Sequence, residues 1–383
     1  MEAVFWISVV AVIYVYLGHP FVLWLLAKVR PKSWKTGNFS GSVTVYVPAY
    51  NEQDAIEKKI HLLLAQETDA SVEILVANDG SSDLTAEKVR GFSHEPKVRL
   101  FDSLENKGKA RLQNEIVPAL DSDIVIFTDA TAELKPDAIE KITRHFADPS
   151  VGAVAVDINF LKMTGGQVES GQRGYWLYER FLRINGARVW TNVSASGACY
   201  AIRRELFDGV PDDVSEDFIN PFKVAFSGHR VIFDSECVVN EISTATNAEE
   251  VRMRKRVALR GITAVARYWR HLDPRNGFAA YQFFVNKLCR FYCWVPMILA
   301  LVINVGLAVE SEFYRILLVP HLTFYALALA GLLAAKSSAI PKVFFYPYFF
   351  LLLNFTYVIA FVQFLRGART AKWETERNAG PSK

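Results

Sequence analysis

Asp129 follows an apolar run at the point where the sequence turns polar. The run Ile124–Thr128 reads as a buried strand, and Asp129 stands directly after it. A carboxylate at the exposed end of such a strand can hold a metal ion or a substrate. A site for a metal and a diphosphate would usually carry a second acid two residues later, and here that position is Thr131. The first question is therefore whether Asp129 alone can hold a metal ion.

Two other polar turns also follow apolar runs. Pro48–Glu52 (PAYNE) comes at the end of the first run, and Asn78–Asp83 (NDGSSD) comes at the end of the second. Taken alone, each turn is a weak signal, because Asp and Asn in turns mostly bond their own backbone. Together with Asp129, they predict one crevice lined by acidic and polar side chains.

Alternating strands and helices would bring these turns to one edge. Helical periodicity separates the apolar runs, as in Ile56, Ile60, Leu63 and Leu64. The predicted strands are SVTVYVPAYN, VEILVANDGSSD, VRLFD, DIVIFTDA and VGAVAVDINF. The alternation indicates an α/β fold with a parallel, doubly wound sheet, whose ligands bind beyond the carboxyl ends of the strands.

A pair of lysines marks a candidate anion site. The two standard phosphate loops, GxGxxG and GxxxxGK[ST], are absent from the sequence. Lys107 and Lys109 flank Gly108 at a predicted helix start, where a helix favours anions. A diphosphate-binding site and a solvated helix cap are both consistent with this pattern.

Further candidates follow in the second half of the soluble region. Small residues from Ser194 to Cys199 would allow a ligand to approach closely, and Glu216 and Asp217 open a predicted helix. The two acids could answer the helix dipole or act as a general base beside the crevice. A basic amphipathic helix comes next and could lie on a membrane surface, clamp a diphosphate, or do both. Its basic residues are Arg252, Arg254, Lys255, Arg256, Arg260, Arg267 and Arg270.

Membrane segments are predicted at both ends of the chain. Of the 383 residues, 51% are apolar, and Val4–Ala27 contains no charge and is long enough to span a bilayer. A basic region and a cleavage site of the kind found in signal peptides are missing, which favours a retained anchor. Three more apolar segments follow: Val295–Val309, Ile316–Ala335 and Val343–Leu365. The predicted organisation is a membrane helix in 1–30, a catalytic domain in 38–275, about three membrane helices in 281–366, and a tail in 367–383.

Charge and cysteine content suggest the compartment. Lys28, Arg30, Lys32 and Lys35 directly follow the first span, so the soluble domain is expected in the cytoplasm. The tail is basic too, yet three full spans would place it outside; either one segment does not fully cross or the tail breaks the charge rule. A net charge of +3 does not indicate a nucleic-acid binder. The four cysteines lack metal-site spacing and fit a reducing compartment.

Taken together, the motifs resemble those of the membrane-embedded family-2 glycosyltransferases, whose catalytic domain has the GT-A fold. This group includes synthases of hyaluronan, cellulose and poly-N-acetylglucosamine, and ceramide glucosyltransferases. The resemblance covers residues 42 to about 270. It implies a Rossmann-like, mostly parallel cytosolic domain flanked by transmembrane helices, in an integral protein expected in a bacterial inner membrane.

The resemblance also implies roles for individual residues. Asp217 is implied as the general base, beside Glu216, and Asp129 as the metal-binding acid that pairs with Mg²⁺ or Mn²⁺. The implied contacts with a nucleotide sugar come from Pro48, Tyr50, Glu52, Asp79, Lys109, Asp129, Arg254, Arg256 and Arg260. The segment that faces the acceptor is implied to be Ser196, Gly197, Ala198 and Cys199.

The sequence departs from the family pattern twice. Thr131 replaces the second acid of the DxD motif, so phosphate oxygens and water would complete the coordination of a metal. Ala258 stands where the family's [Q/R]xxRW motif has Trp, which in processive synthases supports the acceptor sugar. We therefore expect inverting transfer of one or a few sugars, from a UDP-sugar to a membrane-associated lipid or glycan. The alternatives are a processive polysaccharide synthase and a non-catalytic nucleotide-binding protein.

Overall fold

A seven-stranded sheet forms the centre of the protein. The computed structural model describes residues 1–161, 167–242, 247–334 and 341–369; the basic residues Lys372 and Arg377 of the predicted tail lie outside this part. The strand order across the sheet is β3-β2-β1-β4-β6-β5-β7. The strands are β1 Ser42–Ala49, β2 Ser71–Asp79, β3 Val98–Ser103, β4 Ile124–Thr128, β5 Val151–Leu161, β6 Cys199–Arg203 and β7 Arg230–Ile242.

The expected parallel arrangement is confirmed for most of the sheet. Strands β3, β2, β1 and β4 run parallel to one another, and β5 runs parallel to β7. Of the seven strands described, β6 alone is antiparallel to its neighbours, with β4 on one side and β5 on the other. Every residue of β4 is buried, as its continuous apolar sequence predicts for a central strand. The carboxyl ends of β1, β2 and β4 therefore meet at one edge.

Two strands were not predicted from the sequence. Cys199–Arg203 reads as a segment of small and basic residues, and Arg230–Ile242 includes buried charges such as Asp234. A short mixed pattern does not distinguish a strand from a loop, since only the neighbouring strands supply the hydrogen bonds and the burial.

Helices surround the sheet and extend from it. α5 packs beside β2, α8 beside β5 to β7, and α6 and α7 beside β7. A π-helical turn at Tyr14–Gly18 joins the first two helices. The helices are α1 Glu2–Ile13, α2 His19–Val29, α3 Ile56–Leu64, α4 Thr85–Arg90, α5 Lys109–Ile116, α6 Ala138–Thr143, α7 Gln167–Val189, α8 Glu216–Phe226, α9 Asn247–Arg267, α10 Gly277–Phe283, α11 Trp294–Glu310, α12 Glu312–Ala334 and α13 Lys342–Leu365.

In the part of the chain that the structure describes, three helices are long and apolar enough to cross a membrane: Glu2–Val29, Glu312–Ala334 and Lys342–Leu365. A fourth apolar element, Pro274–Cys289 with Trp294–Glu310, is bent by 57°. The start of α1 lies beside the α11–α12 junction, where Phe5 contacts Tyr314 edge-on. That junction therefore lies at the end of α1 farthest from the sheet.

The last helix packs on the domain through its second half. α13 runs along α9, Ala360 is fully buried in the domain's core cluster, and Arg369 lies 3.7 Å from the carboxylate of Asp213. A Cβ on Gly261 of α9 would lie 2.3 Å from the ring of Phe291, so this close packing requires glycine. The end of α13 thus lies at the catalytic domain, which favours the expectation that one C-terminal segment does not fully cross.

The link between α2 and the sheet is fixed by a buried arginine. The guanidinium of Arg230 donates to the carbonyl oxygens of Lys32 and Ser33 in the linker, and to those of Ala187 and Trp190 beside α7. These four hydrogen bonds satisfy a side chain that is only 3% exposed. The apolar α1–α2 segment is therefore held firmly to the domain.

Candidate active site

The turns after β1 and β2 are joined by hydrogen bonds. The backbone N–H of Asn51 donates to Ser81 Oγ over 2.9 Å, and Asn51 Oδ1 accepts from the N–H of Ser82 at 2.8 Å. Glu52 N–H donates to Thr85 Oγ1 at 2.8 Å. Asn51 has a φ of 54°, a conformation that Asn tolerates better than most residues. The predicted convergence of these two turns is present in the structure.

Asp79 anchors the loop that carries the two lysines. Its oxygens accept from the N–H groups of Lys107 at 2.7 Å and Gly108 at 2.9 Å. Burial raises the pKa of Asp79, and these two bonds counteract that rise. Gly108 adopts a φ of 88°, which glycine takes without strain. Asp79 is fully buried beneath this loop, so its contact with a base or ribose stays a prediction.

The other residues predicted to bind the nucleotide differ in accessibility. Pro48 is buried inside β1, whereas Tyr50 and Glu52 are half-buried in the turn that follows. The side chains of Tyr50 and Glu52 are therefore partly accessible to a ligand. Their contacts with a nucleotide stay predictions.

Lys109 bridges two acids that come from distant parts of the chain. Its Nζ lies 2.6 Å from Asp129 Oδ1 and 3.4 Å from Glu216 Oε1. Burial would lower the pKa of Lys109, but the two carboxylates raise it above its ordinary value. The Lys109 side chain is 14% exposed, so these ion pairs are poorly screened. The lysine that flanks Gly108 on the other side, Lys107, instead pairs with exposed Glu115.

The carboxylates of Asp217 and Asp129 both lie close to Gly197. A Cβ on Gly197 would lie 3.8 Å from Asp217 Oδ2 and 3.9 Å from Asp129 Oδ2. Asp217 Oδ1 accepts from Ser215 Oγ at 2.6 Å, which fixes the carboxylate. Burial and the charge of Glu216 raise the pKa of Asp217. Because Gly197 has no side chain, the space next to both carboxylates is open.

The pKa of Glu216 is shifted in the opposite direction from that of its neighbour Asp217. Burial alone would raise the pKa of its carboxyl, but Lys109 and Arg260 hold that pKa below its ordinary value. Two adjacent carboxyls whose environments move their pKa values apart are typical of an acid–base site. Glu216 is therefore the more acidic carboxyl of the pair, and Asp217 is the more basic one.

Half of the predicted acceptor segment is accessible. Ser196 and Gly197 are half-buried at the site, whereas Ala198 and Cys199 are buried at the start of β6. The carbonyl oxygen of Ala198 accepts from Thr128 Oγ1 at 2.9 Å, which joins β6 to the end of β4. Burial raises the pKa of the Cys199 thiol to about 12. Ala198 and Cys199 therefore support the site from beneath.

A buried lysine that was not predicted holds the Asp129 turn. Lys59 is 1% exposed, and its Nζ donates to Thr128 Oγ1 at 2.8 Å and to the carbonyl oxygen of Ala132 at 2.6 Å. Burial lowers its pKa to about 8. The available signal was its position between Ile56 and Ile60 on the apolar face of α3, since a lysine there needs buried partners.

The three arginines predicted to bind the nucleotide have different surroundings. Burial lowers the pKa of Arg260, whose guanidinium interacts electrostatically with Glu216. Arg256 is half-buried on the same helix. Arg254 instead lies over the rings of Tyr175 and Phe349, at 5.2 and 5.1 Å. Arg260 thus belongs to the carboxylate cluster, and the binding roles of Arg254 and Arg256 stay predictions.

The residues at the site fit a metal ion that is held by Asp129 and by the phosphate oxygens of a bound substrate. Within the described ranges, no group of three or more His, Cys, Asp or Glu side chains could hold a metal ion. Asp129 Oδ1 contacts Lys109, while its Oδ2 faces the space above Gly197. One carboxylate oxygen plus phosphate oxygens is an arrangement that Mg²⁺ accepts.

Comparison with known sequences gives partial matches. A sequence model of the family described as Glycosyl transferase family 2 matches residues 44–210. A poly-beta-1,6-N-acetyl-D-glucosamine synthase of Staphylococcus aureus is 34% identical over 113 residues, which is 29% of this chain and 27% of that protein. An N-acetylglucosaminyltransferase of Rhizobium sp. is 25% identical over 202 residues, which is 46% of this chain and 43% of that protein. The chain thus matches less than half the length of these curated relatives.

The fold as a whole matches a solved structure. The mannosyltransferase PcManGT from Pyrobaculum calidifontis, in complex with GDP-Man and Mn²⁺, is 24% identical, with a TM-score of 0.70. The match covers 96% of this chain and 99% of that one. At this identity the likeness establishes the fold, including the apolar helices outside the sheet domain.

Proposed function

Because this chain carries a family 2 glycosyl transferase domain with the GT-A fold, we propose that it transfers a sugar from a nucleotide sugar to a membrane-associated acceptor, with inversion. The observation that carries this proposal is that the carboxylates of Asp129 and Asp217 both lie within 4 Å of the position that a Cβ on Gly197 would take. The donor diphosphate lies on the Asp129 and Lys109 side, and the acceptor hydroxyl lies on the Asp217 side.

Asp217 is the general base of the proposed reaction. The acceptor hydroxyl oxygen attacks the anomeric carbon of the sugar, and its proton passes to the Asp217 carboxylate. The bond between the anomeric carbon and the diphosphate oxygen breaks, and the nucleoside diphosphate leaves with the electron pair. A single displacement of this kind inverts the anomeric centre. The Ser215 hydroxyl holds the carboxylate in place at 2.6 Å.

Lys109 and Arg260 supply fixed positive charge near the leaving group. Lys109 is already positioned by two carboxylates, and Arg260 interacts with one of them, Glu216. Preorganised charge of this kind stabilises a developing anion without a reorganisation cost at the moment of reaction. A divalent cation, Mg²⁺ or Mn²⁺, would be held by Asp129 and the donor's phosphate oxygens, and when bound would offset the charge on the leaving diphosphate.

The donor is proposed to be a UDP-sugar, and the acceptor a lipid or a glycan at the membrane. The catalytic domain is proposed to face the cytoplasm, where nucleotide sugars are available, with the chain anchored in a bacterial inner membrane. Lys28 and Arg30 at the end of the first apolar helix support this orientation.

A processive polysaccharide synthase is the second candidate. It is favoured by the similarity to the Staphylococcus aureus synthase of poly-beta-1,6-N-acetyl-D-glucosamine. The position where the family resemblance would place a Trp is Ala258, which is 1% exposed in the hydrophobic core. Product length separates the two candidates, because a synthase yields high-mass polymer and a single transferase yields a discrete product.

The proposed function can be tested with purified membranes that contain the full chain. Membranes are incubated with a panel of UDP- and GDP-sugars, and release of nucleoside diphosphate is followed. Lipid extracts and polymer fractions from the same reactions are then analysed by mass spectrometry. Release that depends on one donor and on Asp217 supports the proposal, whereas no release with any donor contradicts it.

A further inference from the structure

The proline inside α8 leaves one backbone carbonyl of that helix without its usual partner. Pro221 lies within α8, which begins at Glu216. In an α-helix the N–H of residue i donates to the carbonyl oxygen of residue i−4, and proline has no N–H. The carbonyl oxygen that loses its helical donor is therefore that of Asp217, the proposed base. A carbonyl in this position within the fold requires another donor.

The loop that precedes β6 supplies this donor. The backbone N–H of Ala195 donates to the Asp217 carbonyl oxygen at 2.8 Å. Ala195 is buried, and its own carbonyl oxygen accepts from Arg183 Nη2 at 3.2 Å. The N–H and the carbonyl of Ala195 are thus both bonded, which fixes this point of the loop beside the start of α8.

The same loop is bonded at its other end to the second acid of the site. The N–H of Asp129 donates to the Ala198 carbonyl oxygen at 3.2 Å. Residues 195–198 therefore connect the backbone of Asp217 to the backbone of Asp129. Gly197 lies within this segment and next to both carboxylates. The loop thus sets the spacing between the acid of the proposed donor side and the proposed base.

The two attachments of the loop differ in what they require of the sequence. The bond at Ala198 continues the antiparallel pairing of β4 with β6, so it follows from the sheet itself. The bond at Ala195 uses a carbonyl that points along a helix toward the residue four positions later. If residue 221 had an N–H, that N–H would compete with Ala195 for this carbonyl. The proline removes the competitor.

We propose that Pro221 is a positioning residue: by freeing the Asp217 carbonyl, it allows Ala195 to hold the acceptor-side loop at a fixed position relative to the base. This inference rests on the proposed function, and it adds a residue that acts through Asp217 and Ala195 rather than by touching a substrate. A displaced loop would move the acceptor hydroxyl out of reach of the Asp217 carboxylate, and a misplacement of about 1 Å can cost about 10² in rate. Water that attacks the donor does not depend on the loop in this way.

The first test measures the hydrogen bond itself. Pro221→Ala restores an N–H at residue 221, and alanine is a good helix former, so the variant should fold. Amide hydrogen exchange of the full chain in detergent is followed by mass spectrometry of overlapping peptides across residues 191–200. We expect the Ala195 N–H to exchange about tenfold faster in Pro221→Ala. The matched control is Pro320→Ala, which restores a helical N–H in α12, away from the site, and should leave this exchange unchanged.

The second test compares two fates of the donor sugar. Membranes that contain the full chain are given the UDP- or GDP-sugar that supports release of nucleoside diphosphate. Sugar recovered in the lipid and polymer fractions measures transfer, and free sugar measures hydrolysis by water. We expect Pro221→Ala to lower transfer about tenfold or more. Hydrolysis should stay nearly unchanged, because Asp217 can still take a proton from water. Pro320→Ala should alter neither rate.

The ratio of transfer to hydrolysis separates positioning from a loss of folded protein, which would lower both rates by the same factor. Faster exchange at Ala195 together with a lower ratio in Pro221→Ala supports the positioning role. Unchanged exchange, or an unchanged ratio, would overturn this inference and leave the transferase proposal standing. If the unmodified protein releases no nucleoside diphosphate with any donor, the proposed function fails, and the positioning role fails with it.

Discussion

Lys109 Nζ lies 2.6 Å from Asp129 Oδ1 although the two residues are 20 positions apart in the chain and on different elements. Lys109 begins α5, and Asp129 follows β4. The ion pair joins the start of α5 to the end of β4. Glu216 Oε1 also lies 3.4 Å from Lys109 Nζ. This cluster forms the proposed donor side of the site.

Lys109→Met should destabilise the protein far more than Lys107→Met. Removal of Lys109 leaves two carboxylates, on Asp129 and Glu216, without the cation between them. Breaking a buried pair in this way costs about 3–5 kcal/mol. Lys107 pairs with exposed Glu115, so its substitution should change little. Thermal unfolding of the full chain in detergent measures both, and equal melting temperatures would contradict the assignment.

Asp217→Asn should lower turnover by a factor of about 10² to 10⁴, because the amide cannot take the proton of the acceptor hydroxyl. Nucleotide-sugar binding should stay nearly intact, since the base acts in the transition state. Asp212→Asn is the matched control, because Asp212 is a nearby acid that pairs with exposed Arg111. Turnover and donor binding are measured for each variant. A wild-type rate in Asp217→Asn would remove this residue from the mechanism.

The pH dependence of turnover should report the environment of Asp217. Burial and Glu216 raise its pKa, and the base works only when ionised. Activity should therefore fall on acidification at a higher pH than for an ordinary aspartate. Glu216→Gln removes one of the causes and should move this acidic limb to lower pH, even if the maximal rate falls. A limb that stays in place in Glu216→Gln would mean that another group titrates.

Asp129→Asn should reduce turnover by about 10² or more, because metal stabilisation of leaving-group charge contributes several kcal/mol. It should also raise the Mg²⁺ or Mn²⁺ concentration needed for half-maximal activity. Glu133→Gln is the control, since Glu133 is a nearby acid that pairs with Lys58. Initial rates are measured over a series of metal concentrations. An unchanged metal requirement in Asp129→Asn would show that the metal is held elsewhere.

The position of Arg369 beside Asp213 predicts that the end of α13 and the catalytic domain lie on the same side of the membrane. A cysteine at Ser227, exposed at the end of α8, should react with an impermeant thiol reagent only after cells are permeabilised. A cysteine at Ser311, between α11 and α12, should react in intact cells. A cysteine-containing tag placed after Arg369 should, like the cysteine at position 227, react only after permeabilisation. If that tag reacted in intact cells, as the cysteine at position 311 should, this arrangement would be refuted.

Much of the fold follows from local patterns in the sequence. Continuous apolar runs such as Ile124–Thr128 predict central strands, because a strand buried on both faces needs apolar side chains at every position. Since parallel strands end at one edge, the turns at Asn51 and Asp129 were expected at a common crevice. Long uncharged segments predict membrane helices from composition alone. These features depend only on neighbours along the chain.

The tertiary structure decided which of these residues meet. β6 enters the sheet antiparallel between β4 and β5, and this insertion places Gly197 next to both Asp129 and Asp217. Lys59 was overlooked because its partners lie 69 and 73 positions away. Pairing over such separations depends on packing between elements, which periodicity does not encode. The same reason explains why α13, uniformly apolar in sequence, proved to pack half of its length against the catalytic domain.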